Sequence, residues 1–320
     1  MGFARAMALL VVANLSNLAA AQAGEWPERQ INIVVPLPAG SAADVVARMI
    51  GAKLGERFGQ TVVVQNRDGA SGALGTNQVA QAKPDGYTLG IATTTTLVTA
   101  PILNPGIGYN ARLDFAAVAM IGFSPYVLVV NPAVPAKSVG EFIALAKARP
   151  GALTYSSVGD ASLARLGAEL LSAMAGVRLT QVPYKSSTQA VIDLLAGRID
   201  AQFGILTTTH QYIREGKLTA LGVTTAKRVA EFPDLPTIDE SGLPGFEASL
   251  WLAIVAPAKT PPDIVARLNK EINEALADAE TSKILFNQAI VVDPVSPAAL
   301  RNKIDADLAK WKELATKAGL

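Results

Sequence analysis

From residue 31 onward, apolar runs alternate with amphipathic segments. Residues 31–35 are almost wholly apolar and read as a buried strand. Residues 42–57 follow with apolar positions at helical spacing. The β-branched run 61–65 reads as a second strand, 77–82 as a short helix and 88–92 as a third strand. This βαβαβ rhythm predicts a parallel sheet with helices on both faces. It restarts with strands at 127–130, 153–155, 180–182, 201–205, 220–223 and 250–255. Helices are expected at 139–148, 163–175 and 189–195, and a loop rich in Pro and Gly covers 233–245. Two long helical patterns, 263–277 and 297–318, close the chain and are expected to return to the first half. Runs near 125 and 250 read as crossovers. The organisation is therefore 24–124 plus 249–320 as one domain and 125–248 as the other.

The first 23 residues break this pattern. Arg5 supplies a positive start, residues 7–18 are mostly apolar, and Ala21-Gln22-Ala23 fits an A-x-A cleavage site. Asn14, Ser16 and Asn17 interrupt the run, which is too short for the ~20 apolar residues that span a bilayer. A cleaved signal peptide is expected, with a soluble mature protein starting near Gly24 in a bacterial periplasm.

Composition narrows the chemistry. Half of the 320 residues are hydrophobic and 17% are charged, which suits a well-cored globule. The net charge is +1, without the basic excess of a nucleic-acid binder. There is no cysteine and one histidine, His210, so a thiolate metal site is excluded and a zinc site or histidine-based catalysis has little to draw on. Neither a G-x-S-x-G elbow nor a phosphate-binding G-x-x-x-x-G-K-[ST] occurs. No metal or cofactor is expected. His210 reads as a surface or helix-cap residue.

Two strand–loop–helix turns carry the candidate chemistry. In the first, Pro38, Ala39, Gly40, Ser41, Ala42, Ala43 and Asp44 follow a strand, and Ser41-x-x-Asp44 fits a capping box. The free N–H groups of a first helical turn coincide with the positive end of the helix dipole, a place where anions bind. Asp44 would compete with an anionic ligand unless it turns toward its own backbone. The second turn runs from Ser157 through Gly159, Asp160, Ala161 and Ser162 to Leu163. Two such ends facing one cleft would hold a dicarboxylate. Taken singly, each also fits an ordinary capped helix. Thr93 and Thr94, at the end of a strand, sit where ligands collect in open α/β sheets, or simply continue the strand. Ser186 has the same placement. Tyr184 would stack on a ligand or pack between domains, and Phe203 with Gly204 would form an apolar wall. Residues 69–75 are glycine-rich but lack the dinucleotide pattern, and read as a tight loop that can line the cleft.

In order and spacing, several stretches together resemble the periplasmic solute receptors of tripartite tricarboxylate transporters, the Bordetella uptake gene (Bug) family. They are Ile33-Val34-Val35-Pro36-Leu37-Pro38-Ala39-Gly40 with Asp44-Val45-Val46-Ala47-Arg48, then Val64-Gln65-Asn66-Arg67 and Pro84-Asp85-Gly86-Tyr87-Thr88-Leu89. Val182-Pro183-Tyr184-Lys185, Gly216-Lys217-Leu218, Thr225-Ala226-Lys227-Arg228, Pro233-Asp234-Leu235-Pro236-Thr237 and Gly242-Leu243-Pro244-Gly245-Phe246-Glu247 complete the set. The resemblance covers nearly the whole chain after the leader. It implies an α/β, two-domain, venus-flytrap (type II-like) periplasmic-binding-protein fold with two crossing strands and a ligand cleft between domains. It implies a carboxylate held by backbone N–H groups and water at Pro38 to Asp44, and a second clamp at Ser157 to Leu163. It also implies partners, a small and a large integral-membrane subunit; the protein itself is expected to be a monomer. Gly40-Ser41 stands where the family commonly has Gly-Gly, and Phe203-Gly204-Ile205 where it commonly has an acid. The pocket is therefore expected to be roomier and less polar, suiting a dicarboxylate with an apolar or aromatic body such as a benzene dicarboxylate. A sensory receptor feeding a kinase or chemoreceptor is the alternative role. A secreted hydrolase or isomerase is the remaining class, with no nucleophile motif to support it.

Overall fold

The computed structural model describes residues 26–158, 162–229 and 232–318. The expected leader, 1–23, lies outside them. The chain begins with β1 (Ile31–Val35), α1 (Ala42–Phe58), β2 (Val62–Asn66), α2 (Ala73–Ala80), β3 (Thr88–Thr93), α3 (Ala100–Leu103) and β4 (Phe115–Ser124). It continues with β5 (Tyr126–Val130), α4 (Val139–Ala148), β6 (Thr154–Ser157), α5 (Leu163–Ala175), β7 (Thr180–Pro183) and α6 (Ser187–Leu195). β8 (Ala201–Ile205), α7 (Leu206–Arg214) and β9 (Thr219–Val223) follow, then β10 (Leu250–Pro257), α8 (Pro262–Leu276), α9 (Ala279–Asn287), β11 (Val291–Val292) and α10 (Pro297–Ala318).

The strands form two mixed sheets. One has six strands in the order β11-β4-β10-β3-β1-β2, the other five in the order β7-β6-β8-β5-β9. β1 runs parallel to β2 and β3, and β6 parallel to β7 and β8. The antiparallel members are β10 between β3 and β4, β5 between β8 and β9, and β11 at the edge beside β4.

Local sequence explains the main elements. Val46, Ala47, Ile50 and Leu54 line one face of α1 and are buried with Ile31 and Ile33 of β1. Ser41 caps that helix by accepting the Asp44 N–H at 3.3 Å, and Gly59 ends it in the left-handed conformation. β4 escapes sequence reading because it is buried along nearly its whole length, so Ala116, Ala117, Ala119 and Gly122 show no alternation. α2 starts at Ala73, ahead of the expected Asn77, and His210 sits within α7 instead of opening it. α9 and β11 are further elements that periodicity did not suggest.

One residue, Pro125, separates β4 in the first sheet from β5 in the second. Proline has no N–H to donate, so a ladder can break there. The chain returns beside it, with Leu250 opposite Ser124. Thr94 pins this return: its hydroxyl donates to Ser249 O at 3.2 Å and accepts the Trp251 N–H at 3.0 Å. α10 packs on β4 and also on α5 of the second lobe. It grips the same crossing through Lys303 Nζ to Glu247 at 2.8 Å, and through Asp307, which accepts from Trp251 Nε1 at 2.8 Å.

Candidate functional site

The loops at the C-terminal ends of β1, β2 and β3 build one wall. Pro36, Leu37 and Pro38 meet Gly69, Ser71 and Gly72, with Thr93, Thr96 and Leu250 behind them, around a cavity of about 340 Å³. Gly40 turns the chain at φ +81°. The N–H groups of Ala42 and Ala43, in the first turn of α1, have no intrahelical acceptor. Asp44 is turned inward. It is 4% exposed, accepts the Gly40 N–H at 2.9 Å and pairs with Arg48 at 2.9 Å. Burial works against its charge, but the Gly40 N–H, Arg48 and Asn66 outweigh it and hold the carboxyl below its usual range. Asp44 therefore shapes the turn from behind.

The glycine-rich segment completes this wall. A Cβ at Gly75 would lie 2.7 Å from Arg67 O and 2.9 Å from Pro36 Cα, so only glycine lets α2 approach the first turn. Ala70 and Ser71 hold φ of 48° and 56°, a conformation that non-glycine residues adopt at a cost.

The opposite wall comes from β5, β6, β8 and the starts of α5 and α7. Tyr126, Ser156, Ser157, Ser162, Gln202 and Thr208 surround a small recess of about 60 Å³. Ser157 accepts from Gln181 Nε2 at 2.7 Å, and Ser162 caps α5 by accepting the Arg165 N–H at 3.3 Å. Ser156 Oγ and Gln202 Oε1 are different: both are buried and have no hydrogen-bond partner among the described residues, with the residues 1% and 5% exposed. Burial pushes the Tyr126 phenol up to about 12, so it stays protonated.

The remaining expected residues divide. Phe203 and Gly204 line the second wall, but Phe203 is almost wholly buried against Gly167 and acts from behind. Leu163 is in the core. Thr93 lines the first wall, whereas Thr94 is spent on the crossing strand. Tyr184 is turned away, its hydroxyl donating to Asp193 at 2.9 Å. Ser186 caps α6 by accepting the Gln189 N–H at 3.3 Å, and its neighbour Ser187 lines the recess instead. Gly159, Asp160 and Ala161 lie outside the described residues. Tyr126, Ser156 and Gln202 were missed: each precedes a turn or lies within a strand, where a polar residue in an apolar run is the one available signal. Among the described residues no three His, Cys, Asp or Glu side chains could hold a metal ion, and no helix is long and apolar enough to cross a membrane.

Comparison with known proteins fits this geometry. BugT of Bordetella pertussis is 36% identical over 311 residues, covering 97% of this chain and 95% of BugT. A Pseudomonas protein encoded between tcbD and tcbE is 38% identical over 290 residues, 90% of this chain and 86% of that protein. Three solved structures share the two-domain fold. A TctC solute-binding protein from Polaromonas with no ligand superposes with a TM-score of 0.85 at 27% identity, over 92% of this chain and all (100%) of that one. An R. palustris protein with adipate gives 0.72 at 35% identity, over 92% and 99%. MatC from Rhodopseudomonas palustris with bound malate gives 0.69 at 30% identity, over 90% and 99%. The family is one of periplasmic substrate-binding receptors that work with membrane transporter components, not of enzymes. Its model, the tripartite tricarboxylate transporter family receptor TctC, matches residues 46–320, and the chain belongs to that family.

Proposed function

We propose that this receptor closes its two lobes, 24–124 with 249–320 and 125–248, around a small organic dicarboxylate and presents it to a small and a large integral-membrane subunit. The observation that carries the reading is the pair of buried, unpartnered groups, Ser156 Oγ and Gln202 Oε1, in the second wall. An unpaired buried polar group costs about 1–3 kcal/mol; a carboxylate in the recess relieves it at Ser156, whose hydroxyl can donate, whereas Gln202 Oε1 is itself an acceptor and is relieved by a water or ligand hydroxyl that donates to it. One carboxylate meets the first-turn N–H groups of Ala42 and Ala43. The other accepts from the Ser156 and Tyr126 hydroxyls and reaches Gln202 Oε1 through a bridging water that donates to both. Leu37, Pro38 and Leu250 offer an apolar surface to the body of the ligand, which favours an alkyl or aryl diacid over citrate.

The similar proteins support the same reading, since two of them carry adipate and malate. The superpositions also bear on the conformation. The ligand-free Polaromonas chain fits best of the three although it is the least similar in sequence. Sequence divergence alone would give the reverse order. An open lobe arrangement accounts for it, as does the separation of the two walls into distinct cavities.

The test is a thermal-shift series on the protein from Gly24 onward with adipate, malate, terephthalate and citrate, and adipamide as the uncharged control. A hundredfold excess over the dissociation constant adds about 2.7 kcal/mol of apparent stability. The expected result is a rise with adipate or terephthalate that adipamide does not give. No rise with any diacid, together with no small molecule released on denaturation, would overturn the proposal. N-terminal sequencing of the exported protein checks the cleavage after Ala23, and its sedimentation the monomer.

A further inference from the structure

A further cavity lies at the seam between the lobes; it adjoins the second wall along α7 but shares no lining residue with either wall. Its volume is about 400 Å³, within the range of small-molecule sites. One side is α7 with the segment after β9, presenting Leu206, Arg214 and Phe232. The other is the end of α9 and the start of β11, presenting Phe286 and Val291, with Pro125 of the crossing between them.

Arg214 distinguishes this cavity from a bare apolar groove. Its guanidinium stands 5.8 Å over the Phe232 ring, and no carboxylate among the described residues pairs with it. The neighbouring Glu215 is held by Lys217 at 2.7 Å. A place in the last turn of α7 explains a positive charge there, through the helix dipole, but not the apolar walls beside it. Phe286 is 46% exposed, an unusual position for a large aromatic side chain in a soluble chain. Ala289, on the same side, holds φ +64° at the end of α9, where glycine is the usual residue. Its methyl adds to the apolar wall at a conformational cost.

We propose that this seam cavity is a second binding site, for a small amphipathic carboxylate with one anionic head and an alkyl or aryl body. The head pairs with Arg214 and the body lies between Phe232 and Phe286. The two sides belong to different lobes, so occupancy favours the lobe separation seen here and opposes any closure that changes it. The proposal does not depend on what the front cleft binds.

The probe is 4-fluorobenzoate, followed by fluorine NMR on the protein from Gly24 onward, with 4-fluorobenzyl alcohol as the neutral control. The expected result is saturable binding of the acid, weakened about tenfold by Arg214→Gln, as suits the loss of one charge-assisted contact. Phe286→Ser should weaken the acid as well, and Gln202→Leu should leave it unchanged. Both Arg214 and Phe286 are exposed, so these variants keep the core. Absence of binding, equal binding of the alcohol, or an affinity that Arg214→Gln does not change would overturn the proposal. Binding lost in Gln202→Leu and kept in Arg214→Gln would place the acid in the front cleft, overturning the seam site while supporting the function proposed above.

Discussion

The two walls of the front cleft solve one problem in different ways. The first is built largely from backbone and its polar side chains have close partners: Asp44 accepts the Gly40 N–H through Oδ2, its Oδ1 has no hydrogen bond but lies 2.9 Å from the Arg48 guanidinium, and Thr93 and Thr96 bond to one another. What it offers a ligand is the unavoidable surplus of a helix start, the N–H groups of Ala42 and Ala43. The second is built from side chains and is not satisfied, since Ser156 and Gln202 are buried with no partner. On the function proposed above, a general anion-binding turn on one lobe meets a costly, specific recess on the other. Discrimination between ligands should therefore reside in the second wall, and the shape of the turn in the first.

The comparison breaks most severely if the second wall loses its support. Phe203 is buried behind the recess, with Gly167 leaving room for its ring. Phe203→Ala should lower unfolding free energy by about 3–5 kcal/mol, the usual cost of a large-to-small core change. Chemical denaturation measures it. A loss below 1 kcal/mol (roughly a surface effect) would mean that the recess is not braced from behind.

The first wall is tested through Asp44. Asp44→Asn keeps the shape and an acceptor for Gly40 but removes the charge. The loss expected at neutral pH is about 1–3 kcal/mol, the scale of a charge-assisted hydrogen bond. Its carboxyl is lowered on folding, so its contribution is complete above the unfolded value of 3.8 and is lost as pH falls through the still lower folded value. The wild-type advantage over Asp44→Asn should therefore be level above about pH 5 and shrink below about pH 4. An advantage that persists undiminished in acid would show that Asp44 acts by shape alone.

The sequence was most informative where one local rule decided the outcome. The Pro/Gly turn after β1 and the cap at Ser41 are local chemistry, and the structure forms both at the expected positions. The paired crossings near 125 and 250 were legible because apolar runs there fit neither neighbouring unit. Failures came where tertiary context overrides pattern. β4 is buried along nearly its whole length and so shows no period. Thr94 and Tyr184 follow β3 and β7, where cleft contacts were expected, yet their hydroxyls are drawn into Ser249, Trp251 and Asp193. Position along the chain marks only the strand end; the fold decides which of its groups have a closer partner. Gln202 is the converse. A glutamine within Ala201-Gln202-Phe203-Gly204-Ile205 breaks an otherwise apolar strand, and that break was the trace of the site.

Gln202 also gives the smallest and most discriminating effect. Gln202→Leu replaces a side chain whose buried Oε1 has no partner among the described residues by an apolar group of similar size. If the second wall carries its cost in the empty state, this variant should be more stable than wild type by about 1 kcal/mol without ligand, because the desolvation penalty is removed. The same change should weaken the diacid that gives the largest thermal shift by about tenfold, since the water-bridged contact at Gln202 Oε1 is lost. Opposite signs for stability and affinity are the mark of a group kept for its ligand. Equal losses in both would mean that Gln202 supports the fold, and the contrast between a satisfied and an unsatisfied wall would fail at the residue that defines it.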